Sequence, residues 1–270
     1  MRQTVKIGEM RLAVEIHGGG PPLLLLNGIG LDRSAWSSQI GPLAKAYRVI
    51  AFDARGAGQS DAPPGPYTTA QMADDAFAVL DALGVERAHL LGQSMGGLVA
   101  QEMALARPER VLSLLLAASA ARLPPLARHV IDLWTRLLRA GVPREIFLRE
   151  QLAWVFMESF YEDGEKVTSV VNALASVSGP SPEGFAGQAA ACLGHDASGR
   201  LTRIEAPCRV LVGRQDMLLP VSVSEALARE IPGATLAILE GGGHGFAAEI
   251  AEEFNGAVLE FLASAQRGRA

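Results

Sequence analysis

Residues 89–106 leave few folds open: His-Leu-Leu, then Gly92-Gln93-Ser94-Met95-Gly96, then a run with helical spacing to Ala106. An apolar run that passes through Gly-x-Ser-x-Gly straight into a helix describes a strand that turns sharply before its helix begins. Glycines on both sides let the two backbones approach where a Cβ would collide. The serine is then held out at the end of the strand, beside a helix N-terminus that favours negative charge. The pentapeptide alone is a weak signal, and its weight comes from the strand before it and the helix after it. Ser94 is the candidate nucleophile, and the backbone N–H of Met95 a candidate donor to an oxyanion.

A strand of this kind needs a sheet around it. Residues 23–26, 49–52, 89–91, 111–117 and 210–212 are short apolar runs flanked by Gly, Pro or Asp, and 234–239 is a further candidate. Helical patterns at 69–83, 96–106 and 249–262 alternate with them, which implies crossover connections and a mostly parallel sheet. At the front, residues 5–7 and 12–16 alternate apolar and polar around Gly8-Glu9, as an antiparallel hairpin does. Apolar residues make up 49% of the 270, enough for a sizeable core. The rhythm breaks once, between residues 122 and 200, where helical patterns recur at 127–140 and 144–160 without a strand. The expected organisation is a core of residues 1–121 and 201–270 flanked by helices. A helical cap, 122–200, is inserted between consecutive strands. It would cover the sheet's C-terminal edge, where open α/β sheets bind ligands.

A serine hydroxyl needs a neighbouring base to become a nucleophile. Of the five histidines, His244 alone lies in a glycine-rich loop, Glu240-Gly241-Gly242-Gly243-His244-Gly245, after the last strand and before the final helix. The base in turn needs an orienting acid at a strand end. Asp216, closing Val210-Leu211-Val212-Gly213-Arg214-Gln215-Asp216, is the candidate, and Asp196 in the cap segment is its competitor. The order Ser, Asp, His matches this assignment. A second oxyanion donor is expected from the loop after an early strand, Leu26-Asn27-Gly28-Ile29-Gly30, at the amide of Ile29.

Other classes of function are disfavoured. The net charge is −5 with Lys and Arg scattered, which argues against a nucleic-acid surface. No basic run adjoins an apolar stretch, so a membrane-surface role is unsupported. Cys192 and Cys208 read as buried free thiols rather than a disulfide or zinc pair, and no cluster has metal-ligand spacing. The first twenty residues lack the apolar region of a secretory leader, and the cytoplasm is the expected compartment. The loop Asp53-Ala54-Arg55-Gly56-Ala57-Gly58-Gln59-Ser60-Asp61 lacks the context of a dinucleotide site. It reads as structural, with Asp53 and Arg55 forming an ion pair.

Asn27-Gly28-Ile29-Gly30, the loop 53–61, Gly92-Gln93-Ser94-Met95-Gly96-Gly97, Asp216 and His244 together resemble the α/β-hydrolase superfamily. Leu26-Asn27-Gly28-Ile29-Gly30 and Gly187-Gln188-Ala189-Ala190-Ala191-Cys192 are similar to the 3-oxoadipate enol-lactone hydrolases. The resemblance implies cleavage of a small-molecule ester or lactone without a cofactor. Serine at position 94 departs from the dehalogenase and epoxide-hydrolase branches, which use a carboxylate nucleophile. The Arg-Trp pair of the lactonase lid corresponds here to Ala153-Trp154, with Arg149 earlier on the same helix as the replacement to look for. That departure favours neutral esters over carboxylate-bearing lactones. Trp134, Trp154 and Phe156, with other bulky cap residues, are the expected lining of an apolar pocket above Ser94. Two further readings stay open: C–C bond hydrolysis of β-diketone-like substrates, and a small-molecule receptor with negligible turnover.

Overall fold

The computed structural model describes residues 1–176 and 179–267. The front hairpin is β1 (Arg2–Ile7) and β2 (Met10–His17), antiparallel, with Val5 opposite Leu12. Strands β3 (Pro22–Leu26), β4 (Arg48–Phe52), β5 (Ala88–Gln93), β6 (Val111–Ala117), β7 (Cys208–Gly213) and β8 (Thr235–Leu239) follow. All eight form one sheet in the order β1-β2-β4-β3-β5-β6-β7-β8. The β2–β4 pairing is antiparallel, and those from β4 through β8 are parallel.

The crossovers are α1 (Ser37–Leu43) after β3, α2 (Thr69–Ala82) after β4 and α3 (Met95–Ala106) after β5. Between β6 and β7 the described chain is helical: α4 (Pro125–Arg139), α5 (Arg144–Val155), α6 (Glu158–Tyr161), α7 (Gly164–Ser176) and α8 (Pro182–Gly194), ahead of a short 3-10 turn. Then α9 (Val221–Glu230) joins β7 to β8, and α10 (Phe246–Glu249) and α11 (Ala251–Arg267) follow β8. No helix among the described residues is long and apolar enough to cross a membrane.

The central strands β3 to β6 are apolar on both faces because the sheet is covered on both. Successive residues point to opposite sides. Leu24, Ile50, Leu90, Leu114 and Val210 face Phe77 and Leu80 of α2 and Leu98 and Met103 of α3. Their neighbours Leu23, Val49, Leu91, Leu115 and Leu211 face Leu43 of α1 and Phe254, Val258 and Leu262 of α11. In the insertion, α4 buries Ala127, Val130, Ile131 and Trp134 at helical spacing and turns Asp132 and Arg136 outward as an exposed i,i+4 pair. Cys192 and Cys208 are buried free thiols, and burial pushes Cys192 up to about 12.

Two expectations need correction. The helical pattern over 144–160 breaks at Phe156 and Met157, which are extended. The break frees the Val155 carbonyl and the Met157 amide for partners outside the helix. The Asp53–Arg55 ion pair does not form. Asp53 instead accepts the amides of Arg33 and Gln59 at 2.7 and 2.8 Å and pairs with the Arg33 guanidinium. Arg55 makes a two-pronged pair with Asp75 at 2.5 and 2.7 Å. Both residues lie in the irregular loop after β4, and each charge is met by a partner on another element, Arg33 for Asp53 and Asp75 for Arg55. Burial raises both carboxyls above the ordinary carboxylate range. Removing one member of such a pair costs about 3–5 kcal/mol.

Candidate active site

Ser94 sits between β5 and α3 with φ 53° and ψ −117°, a left-handed conformation that non-glycine residues rarely adopt. Its amide is held by the Ala117 carbonyl at 2.8 Å, and its carbonyl accepts the Ser119 hydroxyl at 3.1 Å. The flanking glycines are required by contact. A Cβ at Gly92 would lie 2.3 Å from the Gly96 carbonyl oxygen, and one at Gly96 would lie 2.0 Å from that of Leu26. Strand, turn and helix therefore close on one another, and the hydroxyl is pushed to the sheet's C-terminal edge.

The loops after β7 and β8 bring the other two predicted residues to the same edge. His244 Nε2 lies 3.1 Å from Ser94 Oγ, and His244 Nδ1 lies 2.9 Å from Asp216 Oδ2. The other Asp216 oxygen accepts the Leu219 amide at 2.7 Å, so the carboxylate is fixed from two sides. Gln93, next to the serine, donates its side-chain N–H to the His244 carbonyl at 3.0 Å. Asp196 is elsewhere: it is half-exposed, accepts the Ser198 amide and lies 3.6 Å from Arg122. His89 meets the Ser113 hydroxyl inside the sheet, and His195 meets that of Thr69. The order of chemistry-bearing residues read from the sequence is the order the fold brings together.

The loop after β3 runs beside the serine. A Cβ at Gly28 would lie 3.6 Å from Ser94 Cβ. The next amide, that of Ile29, makes no hydrogen bond among the described residues. Met95 is the first residue of α3, where helix amides have no intrahelical acceptor. The loop is anchored one residue further on, where Gly30 donates its amide to Gln188 Oε1 of α8 at 2.8 Å. Gln188 also donates to the Arg55 carbonyl at 2.8 Å and is fully buried.

Two residues here escaped the sequence reading. Gln188 was visible only as part of a resemblance, with no local pattern to show what it holds. Glu249 carried no signal at all. One of its oxygens accepts the Gly243 amide and the other the Met157 amide, each at 2.8 Å. Beside this, Gly245 donates its amide to the Val155 carbonyl at 2.7 Å. The loop carrying His244 is thus clasped on both sides of the histidine to the α5–α6 turn. Burial pushes the Glu249 carboxyl above the ordinary range, and the nearby Asp216 adds to the rise.

The predicted pocket residues divide. Trp134 is 1% exposed, packed in the core with its indole N–H on Glu150, so it presents no face to a ligand. Trp154 and Phe156 are half-buried. Phe156 stacks on Phe160 with ring centroids 4.5 Å apart. Arg149 points outward in an exposed i,i+4 pair with Glu145 at 3.1 Å, so it does not replace the arginine missing beside Trp154. No group of three or more His, Cys, Asp or Glu among the described residues is placed to hold a metal ion.

Residues 21–249 match the family model described as alpha/beta hydrolase fold. A candidate carbamate hydrolase, RutD, of Azorhizobium caulinodans is 34% identical over 254 residues, 94% of this chain and 96% of that protein. Among solved structures, a thermophilic esterase from Thermogutta terrifontis aligns with TM-score 0.87 and 31% identity over 98% of this chain and 99% of its own. The enol-lactonase from Burkholderia xenovorans aligns with TM-score 0.87 and 27% identity over 97% of this chain and 100% of its own.

Proposed function

The chain belongs to the α/β-hydrolase fold family and is a hydrolase, and we propose that it cleaves carboxylic esters or lactones of small molecules through an acyl-enzyme on Ser94. The observation that carries this reading is the hydrogen-bonded line from Asp216 through His244 to Ser94, ending on a serine with positive φ.

Ser94 Oγ attacks the carbonyl carbon as His244 Nε2 takes the hydroxyl proton. The carbonyl oxygen becomes an oxyanion that accepts the Ile29 and Met95 amides. Removing one such donor costs about 3–4 kcal/mol in comparable sites. When the C–O bond breaks, His244 returns the proton to the leaving alkoxide. Water, deprotonated by the same nitrogen, then attacks the acyl carbonyl and releases the acid and the serine. Asp216 keeps the Nδ1–H tautomer and stabilises the imidazolium. The insertion 122–200 acts as a cap that closes this edge of the sheet.

Hydrolysis of a carbamate is the second reading. Its support is the likeness to the Azorhizobium relative, and the same nucleophile and donors serve a carbamate carbonyl. The test has two parts. An organophosphate should label Ser94, mapped by mass spectrometry, and kcat/KM should be compared over lactones and over carboxylic and carbamate esters of one alcohol. Labelling at another residue, or full activity in Ser94→Ala, overturns the mechanism. A preference for the carbamates selects the second reading.

A further inference from the structure

Glu150 is the only acidic side chain on the inner stripe of α5, and both of its oxygens are taken by indoles. Trp134 Nε1 of α4 donates to one oxygen, and Trp154 Nε1, one turn on, donates to the other at 3.0 Å. Residues 147, 150, 151 and 154 share one helix face by their i, i+3, i+4, i+7 spacing, while Glu145, Ile146, Arg149 and Ala153 form the exposed face. Leu148 and Leu152 lie on a third side, against Phe160, Val167 and Val171.

The two ends of that inner stripe are tied to the two loops flanking Ser94. At one end the Phe147 ring meets Phe185 edge-on, centroids 6.0 Å apart. Phe185 in turn presses on the loop after β3, where a Cβ at Gly30 would lie 2.9 Å from its ring. At the other end the Val155 carbonyl holds the Gly245 amide beside His244 at 2.7 Å. Helix α5 therefore runs from the loop bearing Ile29 to the loop bearing His244, and Ser94 lies between those loops. Glu150 lies near the middle of this span and Trp154 at its His244 end, and both are half-buried.

We propose that Glu150 and Trp154, braced from behind by Trp134, form part of the roof of the substrate site and that Glu150 sets its charge preference. The site disfavours substrates with a carboxylate away from the scissile bond and favours neutral substrates or those carrying an ammonium group. The two indoles hold the carboxylate in one place, so its field acts at a defined point rather than being averaged over rotamers. Each oxygen keeps a lone pair for a substrate N–H. In a partly desolvated site, two charges about 6 Å apart alter a rate by roughly tenfold to a hundredfold. This inference rests on the esterase reading above.

The test uses two ester series that vary the charge, the second of them isosteric. On the acyl side, one phenol is esterified with butanoate, hemiglutarate or 4-trimethylammoniobutanoate. On the alcohol side, choline butanoate is paired with its uncharged isostere, 3,3-dimethylbutyl butanoate. The wild type should order the acyl series as cation, neutral, anion by kcat/KM, or favour choline butanoate over its neutral isostere on the alcohol side. Glu150→Gln should compress that ratio by ~10-fold or more. Glu145→Gln, the same charge change on the outer face of α5, should leave it unaltered. Trp154→Phe, which keeps a ring but frees one carboxylate oxygen, should compress the ratio partly and keeps the test available if Glu150→Gln folds poorly. Equal ratios in wild type and Glu150→Gln for both series overturn the proposal, and so does an equal change in Glu145→Gln. Absence of hydrolysis of every ester, the neutral ones included, overturns the esterase reading and this inference with it.

Discussion

The Gln188 side-chain oxygen accepts the Gly30 amide at 2.8 Å across 158 residues of sequence. A residue of the helical insertion thus sets the path of the loop that carries the proposed oxyanion donor at Ile29. The insertion is tied to the site a second time through Glu249 and the Val155 carbonyl, on the histidine side. The helical insertion and the proposed site are joined by hydrogen bonds on both sides, so residues that never touch substrate should alter turnover.

Gln188→Ala removes the acceptor for Gly30 and the donor to Arg55 while leaving the triad intact. We expect kcat to fall about 10- to 100-fold with a smaller change in KM, the size expected when a reacting geometry shifts by a fraction of an ångström to one ångström. Stopped-flow kinetics with a chromogenic ester measures this. A normal kcat would mean that Ile29 is placed without help from α8.

Glu249→Gln keeps the size of the side chain but turns one acceptor into a donor facing a backbone N–H. The mismatch at a half-buried amide costs about 1–3 kcal/mol. Because the clasp lies between His244 and the α5–α6 turn, kcat should drop about tenfold or more, beyond any loss in Tm. Urea titration and steady-state kinetics on the same preparation separate the two effects. A stability loss with unchanged kcat would reduce Glu249 to a structural tie.

Asp216→Asn should lower kcat by about four orders of magnitude at neutral pH, because an amide cannot hold the Nδ1–H tautomer or balance the imidazolium. Asp196→Asn, at the surface, should change kcat by less than about twofold. The reverse pattern would mean that the orienting acid has been misassigned.

His195 should make the fold acid-sensitive. Its side chain is fully buried against Thr69 and near Glu102, Arg200 and Asp196, and burial lowers it to about 4, with Glu102 opposing. The unfolded chain binds this proton below about pH 6.5, whereas the folded chain refuses it until about pH 4. Stability from this group is therefore complete above about pH 6.5 and is lost as pH falls toward 4. Between about pH 7 and pH 5 the loss is about 2 kcal/mol. In His195→Gln the drop in urea-unfolding free energy over that interval should shrink by about the same amount. An unchanged drop would assign the acid sensitivity to other groups.

Much of what depends on neighbours in the chain was determined by the sequence itself. The glycines around Ser94 dictate a sharp strand-to-helix turn because a Cβ cannot fit there. The apolar strand runs dictate a sheet covered on both faces, and the positions of Asp216 and His244 after successive strands dictate that both reach the edge holding Ser94. Each of these follows from local sterics and periodicity, which a linear reading can see. Tertiary structure alone decided the partners: Asp53 with Arg33, Arg55 with Asp75, Gln188 with Gly30, Glu249 with Met157, and Glu150 with two indoles. Charges and amides pair by proximity, and proximity between distant segments is set by where the crossovers and the helical insertion come to rest. That placement leaves no period or spacing in the sequence, which is why His244 was legible and the groups that hold its loop in place were not.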